Sequence, residues 1–513
     1  MRTKKALKNT IVSFVSYFIL IIFGFIVQRV FKDALGKEYL GISSLYTNIM
    51  TGLNVVELGF GSAIVANMYR PVAEDNIENI NSLLQYYKKI YSYVACLVLI
   101  IGLCILPFVD IIVGSRIALI NLKVIFAFYL IDSVVSYFIT YKRSLLYANQ
   151  KTYYTTCIHT VAVIVTNMLQ ILFLIYTRNF YLYLITSIVF RIIENICINY
   201  IVNRLYPYVK DGIKHQLSDE IRGDIIKKVK GLFFHKVASF VVLGSDNIII
   251  SMMPNLGITW VGIYSSYSLI TTKLTSLIDS IFNSITASVG NLLVEGDLEK
   301  SYNMFKVIKL INTWIYIYIS ISFYFISFPF VRLWMGQDFV LDTITVFVIT
   351  LNLFFGGLRA SYGAFKNAAG IFFEDRFVPV LESFTNIITS IPLAYLFGLK
   401  GVLLGTMCST MVLFIYSYPR YVYYIIFKKD LKVYVKDLMS SIVMFIITMG
   451  VTKVVMCLIS FQSTFKQLFF SLIICLIIPN VVLVIMNYKT NEFDFILAIL
   501  HKLMKKLLRR EDN

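Results

Sequence analysis

The sequence predicts an all-α integral membrane protein of about 14 transmembrane helices, arranged as two parallel-repeat six-helix lobes plus two C-terminal helices. Three observations predict it. Hydrophobic residues make up 58% of the 513-residue chain and charged ones 15%, more apolar surface than a soluble domain can bury. The apolar residues run in stretches of about 20, the length that crosses a bilayer as a helix. The segment GKEYLGISSLYTNI, residues 36–49, returns as GITWVGIYSSYSLI at 257–270, 221 residues later.

The first apolar run, 10–30, follows a basic flank of Arg2, Lys4, Lys5 and Lys8. It is too long for a signal peptide and no small-residue cleavage pattern follows, so it is expected to stay as the first span. Further spans are expected near 41–68, 89–109, 121–141, 152–176 and 181–203, completing one set of six. A second set lies near 229–250, 259–289, 308–330, 343–365, 377–397 and 401–419, and two more near 437–458 and 467–487. Lipid offers no partners to a free backbone, and a barrel would show short alternating strands, so helices are the predicted form.

The connections alternate in charge. On one side lie only Lys32, Lys37, Arg116, Arg178, Arg332, Lys400 and Lys466; most of the 47 Lys and Arg fall on the other, with both termini. The positive-inside rule makes that side, with both termini, cytoplasmic in a multi-pass membrane protein. The formal charge of +18 is thus a topology signal facing anionic membrane lipids, and no nucleic acid is expected. The terminal FDFILAILHKLMKKLLRR is basic and amphipathic, the pattern of a helix lying on the inner leaflet. Seven cysteines stand singly in apolar runs with no metal-ligand spacing, so neither metal nor cofactor is expected. Short connections leave no room for a soluble catalytic domain.

The repeat aligns Gly36/Gly257, Gly41/Gly262, Ser44/Ser265 and Tyr46/Tyr267, and continues through Glu74/Glu295, Glu78/Glu299 and Lys88/Lys309. Six crossings separate the copies, so both face the same way, the parallel duplication of alternating-access transporters. The expected organisation is an N-terminal lobe at 1–203, a cytoplasmic linker at 204–228, a C-terminal lobe at 229–425, two extra spans within 426–487 and a basic tail at 488–513.

Ionisable groups are costly in lipid and mark wet cavities or partners. Arg29, Lys236, Lys273 and Arg359 are candidate cations for an anionic ligand such as a diphosphate; Glu57, Asp246 and Asp279 are candidate cavity or coupling acids. Arg191 and Glu194, three apart, read as a structural pair on one helix face. Asp132 is open to either reading, and His159 reads as a packed histidine.

The stretch RVFKDALGKEYLGISSLYTNIMTGLNVVELGFGSAIVANMYRPVAEDN, with SDNIIIS, FVRLWMG, FKNAAGIFFEDRFVPVLESFTNIITSIPL and GLKGVLLGTMCS, resembles the Wzx-type oligosaccharide flippases. These form a branch of the multidrug/oligosaccharidyl-lipid/polysaccharide exporter superfamily. The resemblance covers most of residues 10–425. It implies a protein of the bacterial plasma membrane that moves undecaprenyl-diphosphate-linked oligosaccharide units outward for capsule, exopolysaccharide or related surface polysaccharide. It implies alternating access, coupling to H+ or Na+ or to the membrane potential, and association with a polysaccharide polymerase and other assembly proteins. The extra helix pair is similar to that of lipid II flippases, where it forms a groove for the lipid tail. Such a protein breaks no covalent bond, so no catalytic residues and no enzyme activity are expected. The alternative is a cation-coupled multidrug exporter; the absence of an acid from residues 10–30 argues against it.

Overall fold

A computed structural model describes residues 2–57, 60–114, 121–209, 217, 221–223, 225–226, 244–371, 374–459 and 463–511. Among these residues the chain is helical and contains no strand. It divides into two compact units, Met1–Ser265 and Ser266–Asn513.

The first unit opens with α1 (Arg2–Leu35), α2 (Lys37–Leu53) and α3 (Phe60–Ala73), then α4 (Ile77–Ile105) and the short α5 (Val109–Val113). It continues with α6 (Leu122–Tyr137), α7 (Thr140–Ala148), α8 (Thr152–Thr177) and α9 (Phe180–Leu205). A helical stretch at 244–252, α10, precedes α11 (Ile258–Val294), which runs into the second unit. There follow α12 (Leu298–Trp334), α13 (Thr343–Ala368), α14 (Val378–Phe397) and α15 (Leu399–Val412), which continues as a π-helix over Leu413–Ile426. The chain ends with α16 (Leu431–Cys457), α17 (Thr464–Asn487) and α18 (Asn491–Glu511).

Eleven helices among the described residues are long and apolar enough to cross a membrane; the pair α6 and α7, bent by 43°, makes up to twelve. The expected count of 14 is not reached this way for two reasons. The expected second span is divided between α2 and α3 by a 3-10 turn at Asn54–Glu57, and most of the expected seventh, 229–250, lies outside the described residues.

The repeat is written into the helix starts. α2 and α11, α4 and α12, and α6 and α13 each begin 221 residues apart. Equivalent residues cap them. Asn76 accepts from the Asn79 amide and Asp297 from the Lys300 amide, while Asn121 accepts from Val124 and Asp342 from Thr345. Each satisfies donors that the first helical turn leaves over. Gly36 and Gly257 hold φ of 92° and 78° before α2 and α11, a conformation that a Cβ would strain. Tyr46 and Tyr267, both fully buried, do the same work in their own units: the first donates to the Leu122 carbonyl at 3.2 Å, the second accepts from the Leu341 amide at 2.9 Å.

Inside the first unit the two copies touch backbone to backbone. A Cβ on Gly41 would lie 2.1 Å from the Ile258 carbonyl oxygen, and a Cβ on Gly262 would lie 2.1 Å from that of Lys37. Lys37 and Ile258 are themselves repeat partners, so α2 and the start of α11 cross through a reciprocal pair of glycines. Small residues permit this approach between helices in lipid.

In the second unit the last three helices dock on α12. Trp314 donates to Asn480 of α17 at 2.8 Å and stacks on Phe493 of α18; Lys306 pairs with Glu492 at 2.9 Å and Lys309 with Asp437 of α16 at 3.2 Å.

Candidate functional site

Where the copies differ, a cavity opens. In the second copy of the repeat α11 and α13 run unbroken; their counterparts in the first copy both break. α2 ends at Leu53, a 3-10 turn covers Asn54–Glu57, and α3 starts at Phe60. Gly52, Asn54, Val55 and Gly61 all weaken a helix here, by backbone freedom, side-chain competition or β-branching. The break is held from outside. Asn54 Oδ1 accepts from Tyr137 at 2.6 Å and Ser133 at 3.0 Å, and the Tyr87 hydroxyl donates to the Gly61 carbonyl at 2.6 Å. The second break, between α6 and α7, has its own local cause. Ser136 donates back to the Ser133 carbonyl at 2.6 Å and Thr140 to that of Ser136 at 2.9 Å. Such back-bonding bends helices.

Residues of both breaks line one cavity of about 580 Å³ within the first unit, a size suited to a small ligand. Among the described residues its wall holds one acid, Glu57, one guanidinium, Arg143, and the amide of Asn54. Tyr69, Tyr91, Tyr137 and Tyr147, with Ser136, Thr140 and Ser144, supply hydroxyls and rings. Discontinuous helices at membrane depth are tolerated where they line a cavity, and they carry binding sites in transporters.

Glu57 is positioned by Tyr91, whose hydroxyl donates to Oε1 in a short contact. Gly61 lets the carboxylate lie against α3: a Cβ there would stand 2.7 Å from Oε1. Arg143 is held from behind. It contacts Glu194 Oε1 at 3.0 Å and donates to Asn195 at 3.1 Å. Glu194, only 3% exposed, also meets His159 at 3.2 Å and Arg191 at 3.9 Å, and Arg191 forms a two-pronged pair with Asp132 at 3.2 and 3.3 Å. Arg191 and Glu194 thus do share a helix face, but each has its shorter contacts on other helices. Next to Arg143, Lys142 is held by Asn199 and Asn203.

Of the expected site residues that the structure describes, Glu57 alone lines this cavity. Arg29 makes a 2.6 Å pair with Asp33 in its own helix, and Lys32 joins the same carboxylate at 2.5 Å. Asp246 is buried in α10. Lys273 and Asp279 lie on α11 in the second unit, where Asp279 stands in the field of Arg359. Arg359 of α13 grips Glu382 of α14 through two bonds, 2.8 and 3.4 Å, with Glu382 4% exposed. Lys236 lies outside the described residues. Asn54, Tyr91, Tyr137 and Arg143 are the residues that sequence reasoning missed.

Comparison with known proteins agrees with this architecture. The model of the family described as polysaccharide biosynthesis protein matches residues 6–289, more than half of the chain, which therefore belongs to that family. No curated protein sequence matches. Among solved structures, the chain is similar to the lipid II flippase MurJ in an inward closed conformation: 14% identity, TM-score 0.63, covering 93% of this chain and 98% of that one. It is also similar to an inward-facing multidrug resistance MATE family transporter of the MOP superfamily, at 16% identity and TM-score 0.61, covering 76% and 91%. A mutant form of the Vibrio cholerae MATE transporter VcmN aligns at 15% identity and TM-score 0.53, covering 80% and 94%. At these identities the likeness establishes the fold.

Proposed function

We propose that this member of the polysaccharide biosynthesis protein family is a flippase that carries lipid-linked oligosaccharide units, joined to a polyprenyl diphosphate, across the plasma membrane for surface polysaccharide synthesis. The observation that carries this reading is the cavity at the two helix breaks. Its tyrosines and hydroxyls match a sugar, whose faces stack on rings and whose hydroxyls both donate and accept. A carboxylate and an amide add acceptors at fixed positions. The polyprenyl tail stays in lipid, so only the headgroup needs such a passage.

A small lipophilic cation, the cargo of the alternative reading, would find the acid of this wall opposed by Arg143 and already engaged by Tyr91. A diphosphate gripped by Arg29 or Arg359 must compete with Asp33 or Glu382. Depletion of the protein in the producing cell tests the reading. Sugar-loaded carrier lipid is expected to accumulate on the cytoplasmic face; an unchanged leaflet distribution contradicts it.

A further inference from the structure

The geometry points to a binding site for an anionic phospholipid of the inner leaflet on the second unit, where two arginines brace the aromatic rim of an apolar groove between α14 and the π-helix. The groove has a volume of about 470 Å³ and is lined by Phe377, Val378, Val380, Leu381, Phe384 and Tyr416. Phe377 and Phe384 are 63% and 61% exposed, so their rings are open to whatever fills the groove. An acyl chain has the required shape and polarity.

What distinguishes this groove from plain lipid-facing surface is that the arginines at its end are seated on its own lining rings. The Arg376 guanidinium lies 4.7 Å above the Phe377 ring. Arg420 donates to the Tyr416 hydroxyl at 2.9 Å, with its charge 5.5 Å from that ring and 5.8 Å from the Tyr421 ring. Both cations are therefore fixed to groove-lining aromatics, and a planar guanidinium presents paired donors to a phosphate.

The segment that carries Arg376 is clamped. Asp375, fully buried, accepts from Lys366 and, at 3.1 Å, from Ser417 of the π-helix. Tyr421 donates to the Glu374 carbonyl at 2.7 Å. The π-helix itself is unusual: 14 residues long, with Pro419 inside it, where such turns are rare and concentrate at functional sites. Tyr416 and Arg420, four residues apart, lie on the same side of it. The excess of Lys and Arg assigns this end of the helices to the cytoplasm, where anionic headgroups lie. The site is separate from the cavity of the first unit and stands whether or not the flippase reading holds.

Native mass spectrometry of the purified full-length chain in mild detergent tests the site, with phosphatidylglycerol and phosphatidylcholine as probes and undecaprenyl phosphate as competitor. Phosphatidylglycerol is expected to be retained roughly tenfold more tightly than phosphatidylcholine, and the double variant Arg376→Gln/Arg420→Gln to weaken it by about 25-fold. Leu381→Trp, which fills the groove and leaves both arginines in place, is expected to lower retention of both phospholipids. Equal retention of the two lipids by the unaltered chain overturns the site, as does an unchanged double variant. Displacement of phosphatidylglycerol by equimolar undecaprenyl phosphate overturns the phospholipid assignment in favour of the carrier lipid.

Discussion

Replacing Gly41 by alanine places a methyl group 2.1 Å from the Ile258 carbonyl oxygen. Ordinary contact begins near 3.4 Å, so α2 and α11 must part by about 1.3 Å at their crossing. The obstacle is backbone, which no rotamer change can move aside. Overpacking of this kind costs about 1–3 kcal/mol, and Gly262→Ala meets the Lys37 carbonyl at the same 2.1 Å, so the two single variants should be destabilised alike. The double variant should lose less than the sum, because the first methyl has already opened the crossing for the second; coupling of about 1 kcal/mol is expected for residues in contact. Gly290→Ala in the same helix is the control. Nothing lies within 4 Å of its added carbon, and alanine favours a helix over glycine by about 0.8–1 kcal/mol. Thermal unfolding of the full-length chain in detergent reads all four. Midpoints for Gly41→Ala and Gly262→Ala at or above that of Gly290→Ala would refute the backbone crossing.

Other expectations follow from named contacts. Tyr91→Phe deletes the hydroxyl that holds Glu57, and Glu57→Gln removes the charge it serves; each should slow transport about tenfold, as loss of one charged hydrogen bond would, with the midpoint of unfolding little changed. Arg359→Ala strands the buried Glu382 carboxylate and should cost about 3 kcal/mol of stability, the low end for a broken buried pair because Arg359 is 35% exposed. Arg359→Met with Glu382→Leu should recover most of that, whereas a residue that served cargo alone would show no such rescue. Asp342→Ala removes the α13 cap and should cost about 1 kcal/mol at neutral pH. Burial opposes ionisation of Asp342, but bonds from the Thr345 hydroxyl and amide, the Lys400 charge 3.8 Å away and the Ile344 amide outweigh it and hold the carboxyl below its ordinary value. Its charged-cap contribution is therefore present above the usual carboxylate range and lost as pH falls through the lowered folded value, so the difference from the unaltered chain should shrink below about pH 4.

The helices are legible in the sequence because a bilayer demands long apolar runs, and the duplication because Gly36, Gly41 and Tyr46 recur in register with Gly257, Gly262 and Tyr267. The breaks are not. Helix-weakening residues such as Asn54 occur in many unbroken spans; only Tyr137 and Ser133, some 80 residues on, make Asn54 the fixed point of a turn. Arg143, in the run YKR, is indistinguishable from the charges that set topology until Glu194 is seen 3.0 Å away. His159, which reads as packing in the sequence, is a partner of that same carboxylate. Arg359 carries a true signal, an arginine at membrane depth, but its answer lies on the next helix in Glu382. Tyrosine gives no signal because the chain has 35 of them. What the sequence withholds is pairing between helices, which periodicity within one helix cannot report.

The most direct test reconstitutes the purified chain in sealed vesicles loaded with a fluorescent or spin-labelled oligosaccharide on a polyprenyl diphosphate, and follows protection of the sugar from an external glycosidase or reductant. The account predicts protein-dependent movement of the sugar between leaflets, slowed together by Glu57→Gln, Tyr91→Phe and Asn54→Ala. Movement no faster than in empty vesicles, or movement indifferent to all three substitutions, would contradict it.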